Sequence, residues 1–218
     1  MQDSETAETV SPGRGPAGKQ DRFLRTRQEL LDAAREIFAR DGFDAARLQD
    51  IAASAGKTRG AFYAHFKDKE DVFFAIFEQD VERDEVQIAS DLSQVTSRAK
   101  RIDIVLDHLW NVVQDQRRML LHLEFKMYAV RQPRRKKRLA DLHAAMCMSE
   151  PGDEWETLLP EFHADGAAAQ RLRSAQCSAL LDGLSLTLMF DRGTLDEATV
   201  RRQLRAGVTA MLDASPKQ

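Results

Sequence analysis

The chain is predicted to be all-α, with a small three-helix unit at the N-terminus and a larger helical remainder. Three observations predict it. Apolar residues recur at helical spacing, segments with alternating β-branched residues are missing, and Gly or Pro stands between the periodic stretches.

Residues 1–20 are rich in Ser, Thr, Pro, Gly and charge, and bury too little apolar surface to fold, so they are expected to form a flexible arm. Arg14, Lys19, Arg22 and Arg25 are placed to brush a polyanion, although a plain disordered tail is the preferred reading. "TRQE" from Thr26 to Glu29 reads as a capping box opening the first helix. Leu30, Ala33, Ala34, Ile37 and Phe38 then make one apolar stripe, and Gly42 takes the position just past the helix end. In "LQDIAASAG", Leu48, Ile51, Ala52 and Ala55 share a face and Gly56 stops the second helix. Thr58 is placed to cap a third helix running to Tyr63 or His65, and Lys67–Asp71 starts a long fourth one carrying Val72, Phe73, Ile76 and Phe77.

Further helices are expected over 99–115, 117–131, 134–148, 167–190 and 196–212, with Pro133 as a terminator and "TLDE" at 194–197 as a second capping box. The stretch 149–166 is loop-like. The run "RQPRRKKR" at 131–138 reads as a solvated helix face in preference to a basic binding patch. The expected organisation is an arm at 1–20, a three-helix domain at 21–68 and a helical domain at 69–218.

Composition limits the function. Of 218 residues, 43% are hydrophobic and 31% charged, ordinary for a soluble domain, and the net charge is −3. Any binding of nucleic acid must therefore come from a local surface. Residues 22–70 hold ten cationic against eight acidic side chains, a net of +2, leaving −5 for the remainder. Cys147 and Cys177 form no CxxC or Cys/His spacing, so neither a disulfide scaffold nor a metal site is expected. The N-terminal stretch has no apolar signal-peptide core, and no apolar run approaches the roughly 20 residues of a membrane span. A reduced, cytoplasmic protein without a membrane partner or cofactor is expected.

Two short helices joined by a glycine turn, with a third helix behind them, form a helix-turn-helix, whose second helix fits the DNA major groove. The residue types suit that role. Ala52 and Gly56 are small where the helices meet, Thr58, Arg59, Gly60 and Ala61 give the second helix a short polar start, and Tyr63, His65 and Lys69 are placed for phosphates.

The stretch "GFDAARLQDIAASAGKTRGAFYAHFKDKEDVF", 42–73, with "TRQELLDAAREIFARD" before it, resembles the TetR family of bacterial transcriptional regulators. The resemblance rests on Gly42-Phe43, Asp50-Ile51-Ala52, Ala55-Gly56, Thr58-Arg59-Gly60, Phe62-Tyr63, His65-Phe66 and Lys69-Glu70. It departs at Ala46-Arg47, where a Thr or Ser usually precedes the second helix, and at Lys57, where an apolar residue is usual. Arg47 is then either a phosphate contact or solvated, and Lys57 puts a cation in the turn that adds a backbone contact or alters base preference. The resemblance implies base reading by residues 57–62, with Arg59 as the guanine contact, and phosphate holding by Tyr63, His65 and Lys69. Phe62 is open to two readings, a thymine methyl contact or packing on the first helix, while Phe66 reads as core.

The resemblance also implies a helical regulatory domain that binds a small-molecule effector and forms a homodimer on a double-stranded, pseudo-palindromic operator. Ala175, Ala179, Gly183 and Thr187 recur every four residues as a smooth ridge, and Leu204 and Val208 belong to a matching stripe on the last helix. His108, Trp110, Phe125, Tyr128, His143 and Met146 gather aromatic and polar groups for a pocket, though each also fits an ordinary core. Two rival readings stand beside the ligand-responsive repressor. A helical enzyme lacks any HExxH, carboxylate pair or nucleophile motif around His108, His122, His143 or His163. A dimeric DNA-binding regulator controlled by a protein partner, without a small effector, fits the same residues.

Overall fold

Pro16, not Thr26, opens the first helix, α1 (Pro16–Asp41). Proline has no N–H to lose in a first turn, and Lys19, Gln20, Arg22, Leu24 and Arg25 are good helix formers. Thr26 and Glu29 consequently lie in the middle of a helix and form no capping box. The computed structural model describes residues 16–132, 157–160, 166–191, 193 and 195–213. Of the expected arm, residues 1–15 lie outside the described residues and 16–20 are helix.

The stripe from Leu30 to Phe38 is buried as its spacing predicts. The helix ends at Gly42, whose φ of +78° suits a residue without a Cβ and whose amide donates to the Phe38 carbonyl at 3.0 Å. Next come α2 (Leu48–Ser54), α3 (Arg59–Tyr63) and the long α4 (Lys69–Leu92), where Asp68 caps by accepting from the Asp71 amide at 2.9 Å. Helices α5 (Arg98–Gln114) and α6 (Gln116–Arg131) follow, joined only by Asp115, which caps α6 by accepting from the Arg118 amide. The chain ends in α7 (Gly166–Phe190) and α8 (Glu197–Asp213). Among the described residues the protein is all helical, as expected. The helix expected at 134–148 lies outside them, together with residues 133–138 of the basic run.

Two main cores hold these helices. The first unites Phe38, Phe43, Phe62 and Phe66 with Phe73 and Phe77 of α4 and with Leu121, Phe125 and Tyr128 of α6. Its rings meet largely edge to face: Phe38 on Phe73 at 5.0 Å, Phe73 on Phe77 at 5.1 Å, Phe77 on Phe125 at 5.4 Å. This core crosses the boundary expected at 68/69, because α4 and α6 supply half of its rings. The second core joins α5 and α8 through Ile102, Leu106, Trp110, Leu204 and Val208, with leucines of α7 packed against it.

A polar seam ties the helices outside the first core. Arg35 of α1 reaches α4, donating to Asp80 at 2.8 Å, to the Ile76 carbonyl at 3.2 Å and to Gln79 at 3.1 Å. Asp80 is only 2% exposed and is held by Arg35 and, at 3.3 Å, by Arg83 of its own helix. Further along α4, Asp84 accepts from Arg118 of α6, with His108 Nε2 of α5 at 3.6 Å. Burial alone would raise the Asp84 pKa, but hydrogen bonds from His108 and Arg118, with the charge of Arg118, outweigh it and hold the carboxyl at about 2.

Two outcomes are expected. Gly42→Ala forces a Cβ into positive φ and to 3.2 Å from Glu124 Oε2. It costs about 1–2 kcal/mol, read from the urea midpoint. Asp84 has a depressed folded pKa, so its contribution is present above the unfolded value near 3.9 and is lost as pH falls toward 2. Asp84→Asn therefore costs about 2 kcal/mol at pH 7, and its stability curve converges on that of the wild type between about pH 4 and 2.

Candidate nucleic-acid interface

The α2–turn–α3 unit is seated by what it buries. Ile51 and Ala52 of α2, Phe62 of α3 and Phe66 just beyond enter the first core. Gly56, at φ +64°, turns the chain so that its own amide donates to Ala53 O and the Lys57 amide to Ala52 O at 2.8 Å. Thr58 then caps α3, its hydroxyl accepting from the Ala61 amide at 3.1 Å.

What remains outward is a short polar face. Arg47, Thr58, Arg59, Gly60 and Tyr63 are exposed, and Ala61 is half-buried. Arg47 has extended backbone at the N-cap of α2 and supplies no side-chain cap, so its guanidinium is free to point away. Arg59 lies along Tyr63, donating to its hydroxyl at 3.3 Å, with the guanidinium carbon 5.5 Å from the ring centroid. A Cβ added at Gly60 would meet only Thr58 Oγ1 at 3.8 Å, so nothing inside the protein requires glycine at this position.

Four expected contacts are placed otherwise. Phe62 is 0% exposed and belongs to the core, which removes the thymine-methyl reading. The Lys57 ammonium turns back to α1 and pairs with Glu29 at 2.6 Å, so the cation in the turn braces the domain and does not face outward. Lys69 is inward as well. Its ammonium donates to the carbonyls of Phe43, Asp44 and Ala46 at 2.5, 3.1 and 3.2 Å and sits over the Phe43 ring, leaving no N–H for a phosphate. Burial pushes its pKa down, against the opposing charges of Asp44 and Glu70.

His65 is half-buried beneath Phe23, ring centroids 4.1 Å apart, and its Nδ1 is buried without a hydrogen-bond partner. Burial first, and the Arg27 charge second, push its pKa below the usual histidine value. The sequence reading missed Phe23, Arg27, Glu29 and Glu124. Glu124 accepts from the Phe43 amide at 3.1 Å, and Arg27 lies over the Phe66 ring. Only the (i, i+4) spacing of Phe23 and Arg27 on one helix face hinted at a shared partner.

Of the residues expected to line an effector pocket, the described ones fall in separate places. Phe125 and Tyr128 are in the first core, where Tyr128 stacks on Phe43 at 4.4 Å and donates to Glu70. Trp110 is buried in the second core under Arg201, and His108 faces Asp84. His143 and Met146 lie outside the described residues. A cleft of about 610 Å³ opens instead between α1, α4 and the start of α6, lined by polar groups such as Asp32, Arg35, Asp80 and Arg118. On α7 the ridge residues Ala175, Ala179 and Gly183 are exposed, with Thr187 half-buried. Leu204 and Val208 are fully buried against α5 and α7 and so offer no surface to another copy.

The geometry defines a class, a helix-turn-helix domain built onto a helical body. Residues 30–76 match the family model described as bacterial regulatory proteins, tetR family. An HTH-type transcriptional repressor of Mycobacterium tuberculosis is 34% identical over 94 residues, which cover 43% of this chain and 46% of that relative. The chain thus matches less than half of that relative's length. A putative TetR-family regulator from a Rhodococcus species superposes with a TM-score of 0.67 at 22% identity, covering 87% of this chain and 99% of that one. The regulator FadR of Bacillus subtilis, solved with stearoyl-CoA, superposes at 0.60 with 15% identity, covering 86% and 98%. Among the described residues no helix is long and apolar enough to cross a membrane.

Lys69→Met, which keeps length and removes three charge-assisted bonds, is expected to lower stability by about 2 kcal/mol in urea titration. Lys57→Ala removes a half-exposed ion pair and is expected to cost under about 1 kcal/mol.

Proposed function

We propose that this protein is a DNA-binding transcriptional regulator, a repressor that grips a pseudo-palindromic operator as a homodimer and is released by a small-molecule effector. The carrying observation is the outward face of α3, where Thr58, Arg59, Gly60 and Tyr63 are exposed while the rest of the helix is anchored in aromatic core. Such a face presents a planar guanidinium to a major groove, and glycine at 60 lets the backbone come close to the bases. Arg59, pre-stacked on Tyr63, reads guanine, and the Tyr63 hydroxyl and Arg47 hold phosphates on either side.

Dimerisation is supported by α7. Its ridge of Ala175, Ala179 and Gly183 runs beside Leu172, Leu186 and Phe190, the last 90% exposed, an apolar strip that a second copy would cover. An effector is supported by the Bacillus subtilis neighbour, whose structure holds stearoyl-CoA. Release requires that the effector bind one orientation of α4 and α6 better than the other.

Selection from random-sequence duplexes should return an inverted repeat. On that repeat Arg59→Ala is expected to cost about 1–3 kcal/mol and to relax preference at one position per half-site. Gly60→Val should abolish binding with the melting temperature retained. Unchanged anisotropy titrations for both variants would remove α3 as the reading helix.

A further inference from the structure

The first turns of α1 project beyond the packed domain. Residues 18–25 are all exposed, and Leu30 is the first fully buried residue. At 1.5 Å per residue the exposed part is about 12 Å long. Its contact with the rest of the domain is the far end of the recognition unit: Phe23 on His65, and one turn later Arg27 over Phe66.

That contact fixes which side of α1 looks along the α3 surface. At about 100° per residue, Lys19 lies about 40° and Arg22 about 100° from Phe23 around the helix, whereas Asp21 and Arg25 lie about 160° away. Both cations therefore lie on the same side of the aromatic stack, and the nearby acid is turned from it. Lys19 and Arg22 make no ion pair or hydrogen bond among the described residues, unlike Arg35 and Arg118 further into the body. His65 adds an imidazole at the same edge, next to Tyr63 and Arg59.

We propose that Lys19 and Arg22, held beside the Phe23–His65 stack, form a second phosphate-binding strip that extends the DNA footprint outward from α3. The strip rests on the DNA-binding reading given above. It engages backbone phosphates and not base edges, because long exposed cations on a helix that bypasses the groove meet the duplex at its surface. Its contribution is therefore independent of sequence and dependent on salt.

The test uses the full-length chain with two fluorescent duplexes, one enriched by the protein from random-sequence DNA and one of mixed sequence. Lys19→Ala/Arg22→Ala is expected to lower the slope of log affinity against log salt by about 1.8 per bound protomer. Between 50 and 200 mM salt the wild type then loses roughly tenfold more affinity than the double variant, on both duplexes alike. The charge-preserving Lys19→Arg/Arg22→Lys restores the slope. A wild-type slope in the alanine double variant overturns the strip while leaving the α3 reading intact. Failure of the wild type to bind either duplex overturns both.

Discussion

The helix-turn-helix hangs on the backbone of one residue, Phe43. The N–H of Phe43 is taken by Glu124 of α6 and its carbonyl by Lys69 of α4, so two helices of the body clamp opposite faces of the loop between α1 and α2. That loop has no regular hydrogen bonding of its own beyond the Gly42 turn, and α2 begins without a side-chain cap. A buried ammonium surrounded by three carbonyls is a costly arrangement to leave unsatisfied, so the loop, α2 and the seat of α3 are fixed together. The Phe43 ring, placed between Lys69 and Tyr128, ties the same point into the aromatic core.

From this clamp follows the absence of a clean division between a DNA-facing domain and a body. Phe73 of α4 meets Phe38 and Phe43 on one side and Phe77 and Phe125 on the other, so one ring belongs to both parts. The polar seam repeats the connection about two turns earlier in α1, through Arg35 and Asp80. A close-packed aromatic core does not deform continuously, so a shift of α6 either carries the loop with it or breaks the Glu124 contact.

The sequence made the helices legible because their apolar stripes are long and their stops are Gly or Pro. Helices α5 to α8 fall within a residue or so of the expected ends. The start of α1 was misread because Thr26-x-x-Glu29 imitates a capping box, while Pro16, a valid first-turn residue, looked like part of a loop. The exposed face of α3 was legible from residue type and spacing. The inward turn of Lys57 and Lys69 was not, since their partners, Glu29 and the carbonyls of residues 43–46, are distant in sequence or carried by the backbone. The same limit misplaced Phe125 and Tyr128: an aromatic on an amphipathic helix reads alike whether it lines a cavity or fills a core. Only the packing of α6 on the 42–46 loop decides it.

The length of α1 gives these contacts a mechanical meaning. Arg35, anchored to α4, and Phe23, resting on the end of the recognition unit, are twelve residues apart on one continuous helix, about 18 Å. Between them Leu30, Leu31 and Ala34 are buried in the first core, so only the turns before residue 26 overhang it. One rigid helix thus touches α4 at Asp80 and the chain just beyond α3 at His65, and holds the two at a set spacing.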